Sequence, residues 1–492
     1  MHWNFLPRTL LFYLFTVGIP LIAGQGTLTL GSLVSFTSQT LNVNSNNTFS
    51  LPNGSNLTIS VSICSFTARF FITNNSDSTT INMPVTDGVG VFSGRLEQGG
   101  VLSVESEGGS GTVQLGLSEK GPLQEHLANF PVLGDTTSNQ ALLFSPPYAP
   151  QPSSEPTYPN YTLPVLTPAT APSSTPNFTL VLLPSSVKTQ LGCVLQNSTT
   201  TVTGSQGNVV NRTQWLRDAR EGWREQLLVD GLLPQTNYSA FFIQDGKKIS
   251  GPAYFVTKSS AFSCPLAASL PFCPGVSYAV PLPPPPAPST TYDASNIPQN
   301  VSDGVTEHMA NFTISLTTFA CGRDFYSPIK TCSDCQREYR KWLCTIAFPR
   351  CGEAGPSSTS STSSASTSQK RRHHLFARLA DTLSLAKRKD PPPPAVSALA
   401  PVPDTATSRS PFFAPFNASY NVLLPCIETC QATDRACPYS LGFKCPPTSR
   451  FIDIAKQSYG VGIVDGTGHN QERLGFAGTS VDTWGNIWCN GG

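Results

Sequence analysis

The chain has 492 residues and a formal net charge of +1 at pH 7, with 12% of residues charged and 39% hydrophobic. So even a balance gives no global reason to expect nucleic acid or anionic lipid as the partner. The length accommodates about three domains with ample core.

At the N-terminus, His2 and Arg8 precede an apolar run from Leu10 to Ala23 that closes on the small residues Ala23 and Gly24. This is the pattern of a secretory signal peptide over 1–24, cleaved near Gly24, with an uncleaved signal anchor as the alternative. No other segment approaches about 18 uninterrupted apolar residues, and the polar C-terminal WGNIWCNGG is unlike a GPI signal. The mature chain is therefore expected to be soluble, or membrane-associated through a partner.

Residues 25–145 read as a β-sandwich. Short runs such as TLTLGSLVSF, LTISVSICSF, RFFITN, GVGVFSGRL, VLSVES and GTVQLGL alternate apolar and polar residues between Gly/Asn/Asp/Ser clusters and read as strands. A Pro-rich linker follows over 146–176. Residues 177–258 then predict a fibronectin type III-like β domain. Leu233, Pro234, Thr236 and Tyr238 match the corner entering strand F of such domains, where the Tyr hydroxyl ties back to nearby backbone. Trp215 and Trp223 are expected in a helix-like insert that this pattern does not require.

Acceptor sites of the form Asn-x-Ser/Thr occur at Asn46, Asn53, Asn56, Asn74, Asn160, Asn177, Asn197, Asn211, Asn237, Asn300, Asn311 and Asn417. Together with the low charge, they suggest a glycoprotein surface solubilised by sugar as much as by charge.

From residue 259 the composition changes to a cysteine-rich domain, expected to be mainly helical, in two parts, 259–352 and 413–492. The part between them, 353–412, is Ser/Thr-rich, then basic, then Pro-rich, a composition expected to be disordered. Within it Lys370-Arg371 and Lys387-Arg388 are dibasic sites, and Leu375, Leu379 and Leu383 share a helical stripe. Membrane-surface attachment, weakened by the scarcity of anionic lipid in the lumenal or outer leaflet, proteolytic processing and an uncleaved spacer are the readings of this segment.

Only Cys64 and Cys193 lie in the β part. The others are Cys264, Cys273, Cys321, Cys332, Cys335, Cys344, Cys351, Cys426, Cys430, Cys437, Cys445 and Cys489. Even counts in an oxidising lumen predict complete disulfide pairing, with the connectivity left open. Cys332-x-x-Cys335 has no second CxxC partner for a zinc ribbon and no thioredoxin-like context, so no metal is assigned. Cys335, Tyr339, Trp342 and Ile346 recur at helical spacing, which predicts Tyr339 and Trp342 as core filling around the sulfurs. Gln336, Arg337, Glu338, Arg340 and Lys341 are expected mostly on the opposite face. Recognition residues are expected in loops that the stapled helix carries.

These elements resemble the fungal stretch-activated calcium-channel regulatory subunits. The resemblance rests on Cys332-x-x-Cys335, Tyr339, Trp342-Leu343-Cys344 and Phe348-Pro349-Arg350-Cys351, then on Pro425-Cys426 through Cys430 and Cys437-Pro438 to Cys445-Pro446. It implies a secretory-pathway glycoprotein that binds the extracellular side of a large four-repeat, voltage-gated-type pore subunit and supports calcium influx under stress or stretch. The implied location is the extracellular face of the plasma membrane, with room for an endoplasmic-reticulum pool. The cysteine-rich part is also similar to that of sodium-leak-channel auxiliary subunits and, distantly, to frizzled-type domains.

The resemblance implies neither an enzyme nor a cofactor. Consistently, GxSxG, HExxH and P-loop motifs are missing, and the adjacent His373 and His374 fall in the low-complexity insert. The 465–470 loop lacks the ligand spacing of an EF-hand. Three other readings remain for comparison: a cell-wall or adhesive glycoprotein without channel association, a secreted glycan-active enzyme, and a cation pore in its own right. No local carboxylate spacing favours the enzyme, and the pore would need further spanning segments.

Overall fold

The computed structural model describes residues 26–37, 47–150, 169–196, 207–319, 321, 323–353, 398–404, 408–446, 458–460, 480–481 and 487–491. The expected signal peptide, the acceptors Asn46, Asn160 and Asn197, the dibasic sites and the 465–470 loop lie outside these residues. The chain divides into two compact units. The first runs to Leu127 and takes in Thr189–Thr199 and Gly246–Ile249; the second holds the remainder.

The first unit is an eight-stranded sheet built around two long antiparallel strands, Gly54–Asn74 and Gly100–Ser118. Each replaces two of the strands predicted from sequence. The predicted breaks fall at bulges, where the register shifts between Cys64 and Phe66 and between Thr67 and Ala68. Gly108 and Gly109, at φ 130° and 100°, supply the backbone freedom opposite. A bulge bends a strand without ending it, so turn-like residues there do not mark a boundary. Leu57, Ile59, Val61 and Ile63 alternate onto one face and pack with Leu102, Val104, Val113, Leu115 and Leu117.

At the bend sits a short helix, α1 (Leu191–Gln196), tied to the sheet by the Cys64–Cys193 disulfide. Gln196 donates from Nε2 to the Ser62 carbonyl at 2.9 Å. Gly192 permits this approach, because a Cβ there would lie 2.1 Å from the Ile63 carbonyl oxygen.

In the second unit, Val132–Thr136, Gln140–Phe144, Gly222–Asp230 and Asn208–Asp218 form one sheet in that order. Phe178–Pro184, Asn237–Gln244 and Lys248–Val256 follow one another in a second. In chain order this is the A-B-E-D and C-F-G arrangement of an immunoglobulin-like sandwich. Two sequence expectations change. The strands within 132–144, assigned to the first sandwich, begin the second, where Leu142 pairs with Leu228. The Pro-rich segment therefore connects strands inside one domain. Trp215 and Trp223 are not in a helix-like insert: they occupy the two strands of a hairpin in which Trp215 pairs with Arg224 and Leu216 with Trp223.

The corner at Tyr238 has the expected geometry. Its hydroxyl accepts from the Leu233 amide at 3.1 Å, and its ring, 1% exposed, stacks on Phe255 at 5.5 Å. Tyr238→Phe removes only this bond and is expected to lower stability by about 1 kcal/mol in urea denaturation. An unchanged midpoint would show that the hydroxyl contributes nothing.

The cysteine-rich region is not mainly helical. Its described helices are α2 (Gln299–Leu316), α3 (Cys332–Ala347) and α4 (Ile427–Ala436), set among two- and three-stranded sheets and irregular chain. Six disulfides brace it: Cys264–Cys351, Cys273–Cys344, Cys321–Cys332, Cys335–Cys437, Cys426–Cys489 and Cys430–Cys445. Covalent bridges here do work that repeated backbone ladders do in the β-sheets of the first unit and of the sandwich. Among the described residues, no helix is long and apolar enough to cross a membrane.

Part of the segment expected to be disordered is ordered. Leu399–Val402 is the edge strand of a three-stranded sheet, with Tyr420–Leu423 central and Arg350–Gly352 on the other side. An edge strand tolerates its Pro401, whose missing N–H needs no partner on the open side. Ala398 is fully buried, and Phe413 packs edge-on against Phe348. The chain thus leaves and re-enters on either side of one central strand, a span of about 10 Å. Replacing 355–396 by about eight Gly/Ser residues should preserve secretion and, through a shorter loop, raise stability by about 1 kcal/mol. Misfolding of that deletion would show that the segment helps to build the domain.

Candidate functional site

Helix α3 organises the cysteine-rich region. It starts at a capping box in which Thr331 and Asp334 exchange side-chain and backbone bonds, satisfying amides that the first turn leaves open. Asp334 also pairs with Arg337 at 3.0 Å and with Arg220 of the sandwich hairpin. Three disulfides hold α3: Cys332 and Cys335 at its first turn and Cys344 near its end. Helix α4 packs alongside, with the Thr433 hydroxyl donating to the Glu338 carbonyl at 3.0 Å.

The apolar part of the buried face of α3 consists of Cys332, Cys335, Leu343, Cys344 and Ala347, with Ser333, Asp334 and Thr345 buried beside them. Tyr339 and Trp342 stand beside it, half-buried, in an aromatic stack rather than in the centre of the core. Tyr339 lies face to face with Phe312 at 3.5 Å, Trp342 meets Phe443 edge-on at 4.8 Å, and the Trp342 indole donates to the Tyr459 hydroxyl at 3.1 Å. Burial raises the pKa of the Tyr339 and Tyr459 hydroxyls. Arg340, expected outside, turns inward and donates to the Phe272 carbonyl at 2.8 Å; desolvation lowers its pKa to about 10. It remains a cation at neutral pH and caps the Pro271 and Phe272 carbonyls.

Next to the stack, at the C-terminal end of α3, opens a cleft of about 370 Å³ lined by Ile346, Pro349, Arg409, Val422, Leu424 and Tyr459. It combines apolar walls with one guanidinium, one phenol and the hydroxyl-bearing Thr345 and Ser458, a mixture also found at protein contacts. Cys426, Glu428 and Cys489 cluster closely enough to suggest a metal site. Both sulfurs are, however, joined in a disulfide, so the thiolates that a metal requires are not there.

A buried charge cluster fastens the sandwich to this region within the second unit. Asp135 receives Lys258 at 2.5 Å, Arg350 at 3.0 Å and the Ala279 amide at 3.1 Å. Burial pushes the Asp135 pKa up, but Arg350 and then Lys258 outweigh it and hold the carboxyl below its ordinary range. Around this cluster Leu142, Phe144, Trp215 and Leu228 pack with Cys264, Leu266, Ala279 and Cys351, and the Trp215 indole donates to the Pro274 carbonyl at 3.0 Å. Sequence reasoning missed this cluster because nothing local marks its three residues as partners.

The acceptor asparagines frame the site by where they are absent. Asn53, Asn56, Asn177, Asn211, Asn237, Asn300, Asn311 and Asn417 are exposed and Asn74 is half-buried. No acceptor falls in 312–416 or after 417, so α3, α4 and the cleft carry none. At the N-terminal end of α3, about 20 Å from the cleft, Phe325, Ile329 and Tyr439 stand 83%, 80% and 82% exposed.

Comparison with known proteins adds a consistent set of relatives. The family model described as "Mid1: Stretch-activated Ca2+-permeable channel component" matches residues 39–479. A Cryptococcus neoformans protein named stretch-activated cation channel MID1 is 32% identical over 447 residues, covering 85% of this chain and 67% of its own length. The Schizosaccharomyces pombe channel yam8 is 27% identical over 54% of this chain, and the Saccharomyces cerevisiae channel MID1 26% identical over 53%. The chain spans less than half of these two yeast proteins, 46% and 43%. Among solved structures, two fibronectin type III domains of chicken tenascin match 42% of this chain and 96% of that chain at 15% identity and a TM-score of 0.14. The FN1-FN3 domains of chicken CNTN1 match 48% of this chain and 65% of that chain at 9% identity and a TM-score of 0.15. At these scores neither bears on the argument.

Proposed function

Because the chain belongs to the Mid1 family of stretch-activated Ca2+-permeable channel components, we propose that it is a non-enzymatic auxiliary subunit, docking on the extracellular side of a large pore-forming subunit. Its route would be the secretory pathway, with sugars on the exposed acceptors and disulfides closed in the lumen. The observation that supports this most is the acceptor-free face of α3 and α4. In a chain otherwise dotted with acceptors, the most heavily bridged surface keeps an aromatic stack and an apolar cleft open to protein contact.

The mechanism would be a shift of population. Docking that is stronger on one state of the pore subunit, or on the correctly assembled form, favours that state by the difference in binding free energy. Rigidity contributes, since a bridged surface loses little conformational entropy on binding.

Co-purification of the tagged chain from fungal membranes in mild detergent, with identification of what accompanies it, tests the proposal. Recovery of a multi-span channel subunit is expected. Recovery of wall glucan alone would favour the adhesive-glycoprotein reading.

A further inference from the structure

We propose that the tip formed by Phe325, Ile329 and Tyr439 inserts into the interfacial layer of a phospholipid bilayer, giving the chain its own membrane contact. The inference goes beyond docking on a pore subunit and uses residues outside that surface. These three are the most exposed large apolar side chains among the described residues, at 83%, 80% and 82%. Two loops bring them to one end of α3. The Tyr326 hydroxyl, next to Phe325, donates to the Ala436 carbonyl at 2.8 Å, and Tyr326 and Leu441 pack into one cluster with Cys321, Cys332, Cys335 and Cys437.

The Cys321–Cys332 and Cys335–Cys437 disulfides clamp these loops from below, so insertion would require little further ordering. All three side chains are at least 80% exposed, so none sits in a packed pocket. Protein hot spots instead sit in packed, desolvated pockets, whereas Phe, Ile and Tyr at a loop tip match the lipid interface, where Tyr keeps its hydroxyl in the headgroups.

Charge supports the same occupant. Lys330 adjoins Ile329 and makes no ion pair among the described residues, while Lys444 lies 4.4 Å from the Tyr439 ring centroid. Arg323 and Lys444 are paired with Asp324 at 3.0 Å and Asp434 at 2.8 Å. The local excess of cation is therefore small and suits phosphate groups in general rather than a strongly anionic leaflet. No glycan acceptor lies in either loop. Channel components work at a membrane, which puts a bilayer within reach.

The test is co-sedimentation of the full, secreted chain with phosphatidylcholine vesicles, with and without a minor anionic lipid. Wild type should partition weakly, and the triple variant Phe325→Ser, Ile329→Ser, Tyr439→Ser should lose at least about fivefold in the bound fraction. Adding the anionic lipid should change wild-type binding less than the triple substitution does. Maleimide-inaccessible cysteines and an unchanged circular-dichroism spectrum establish that the variant is folded. Because the assay contains no channel subunit, its result is independent of the docking proposal. The inference is overturned if wild type does not partition, if the folded variant partitions equally, or if the variant loses capture of the pore subunit in detergent, which would make the tip a protein contact.

Discussion

Asp135→Ala is expected to destabilise the second unit by about 3–5 kcal/mol, the range for removing one member of a buried ion cluster. The side chains of Asp135, Lys258 and Arg350 are 5%, 10% and 14% exposed. Without the carboxylate, two cations would face each other across the junction of the sandwich and the cysteine-rich region with little water to screen them. Asp135→Asn should lose most of the same stability, since an amide keeps the shape but not the charge. The pH dependence has a definite sign. Because the folded carboxyl has a lowered pKa, its contribution is fully present above the unfolded value of about 4 and disappears as pH falls through the folded value. The gap in urea midpoint between wild type and Asp135→Ala should therefore be full at neutral pH and narrow below about pH 4. A gap under about 1 kcal/mol at pH 7 would mean that the cluster holds nothing together.

Breaking the Cys335–Cys437 bridge with Cys335→Ser and Cys437→Ser should cost at least as much. This is the bridge that joins the two cysteine-rich parts, across a sequence separation of 102 residues. Chain entropy assigns such a loop about 5 kcal/mol, against about 3 for the short Cys321–Cys332 loop, whose separation is 11. Secretion yield and urea midpoint of the two double variants should follow that order. The same bridge predicts that a chain cut anywhere in 355–397 migrates as one species on a gel until it is reduced. Two separate pieces without reductant would contradict the pairing.

Local chemistry was the legible part of this fold. The Tyr238 corner involves residues five apart, and its Leu-Pro-x-Thr-x-Tyr pattern carries its own geometric reason. The cysteine count announced full pairing because pairing depends on compartment and number, while the partners depend on the fold. What failed was long-range or bulged. Ser65, Gly108 and Gly109 look like turn residues, but they bend two strands that continue through them. The strands just before the Pro-rich segment belong to the second domain rather than the first, because their partner, Gly222–Asp230, lies far along the chain. Trp215 and Trp223 lie in a hairpin rather than a helix-like insert, because cross-strand pairing, not the local run, fixes their conformation. Asp135 is 123 residues from Lys258 and 215 from Arg350, so no window of sequence could relate them. For the candidate site, the stapled helix and its aromatic residues were visible. The half-buried stack was not, because Phe312, Phe443 and Tyr459 come from other segments.

A glycan placed at the cleft mouth should block a channel subunit from docking on the acceptor-free face around α3. Ser408→Asn creates an Asn-Arg-Ser acceptor beside the cleft residue Arg409 with one substitution, and Ser408→Gln is the matching change without a sugar. Both proteins should be secreted with closed disulfides, and only the first should shift on a gel until treated with an endoglycosidase. The glycosylated Ser408→Asn protein should lose at least about tenfold in co-purified channel subunit, equivalent to 1.4 kcal/mol or more, while Ser408→Gln retains it. A glycosylated Ser408→Asn protein that recovers the channel subunit as fully as wild type would contradict docking on this face.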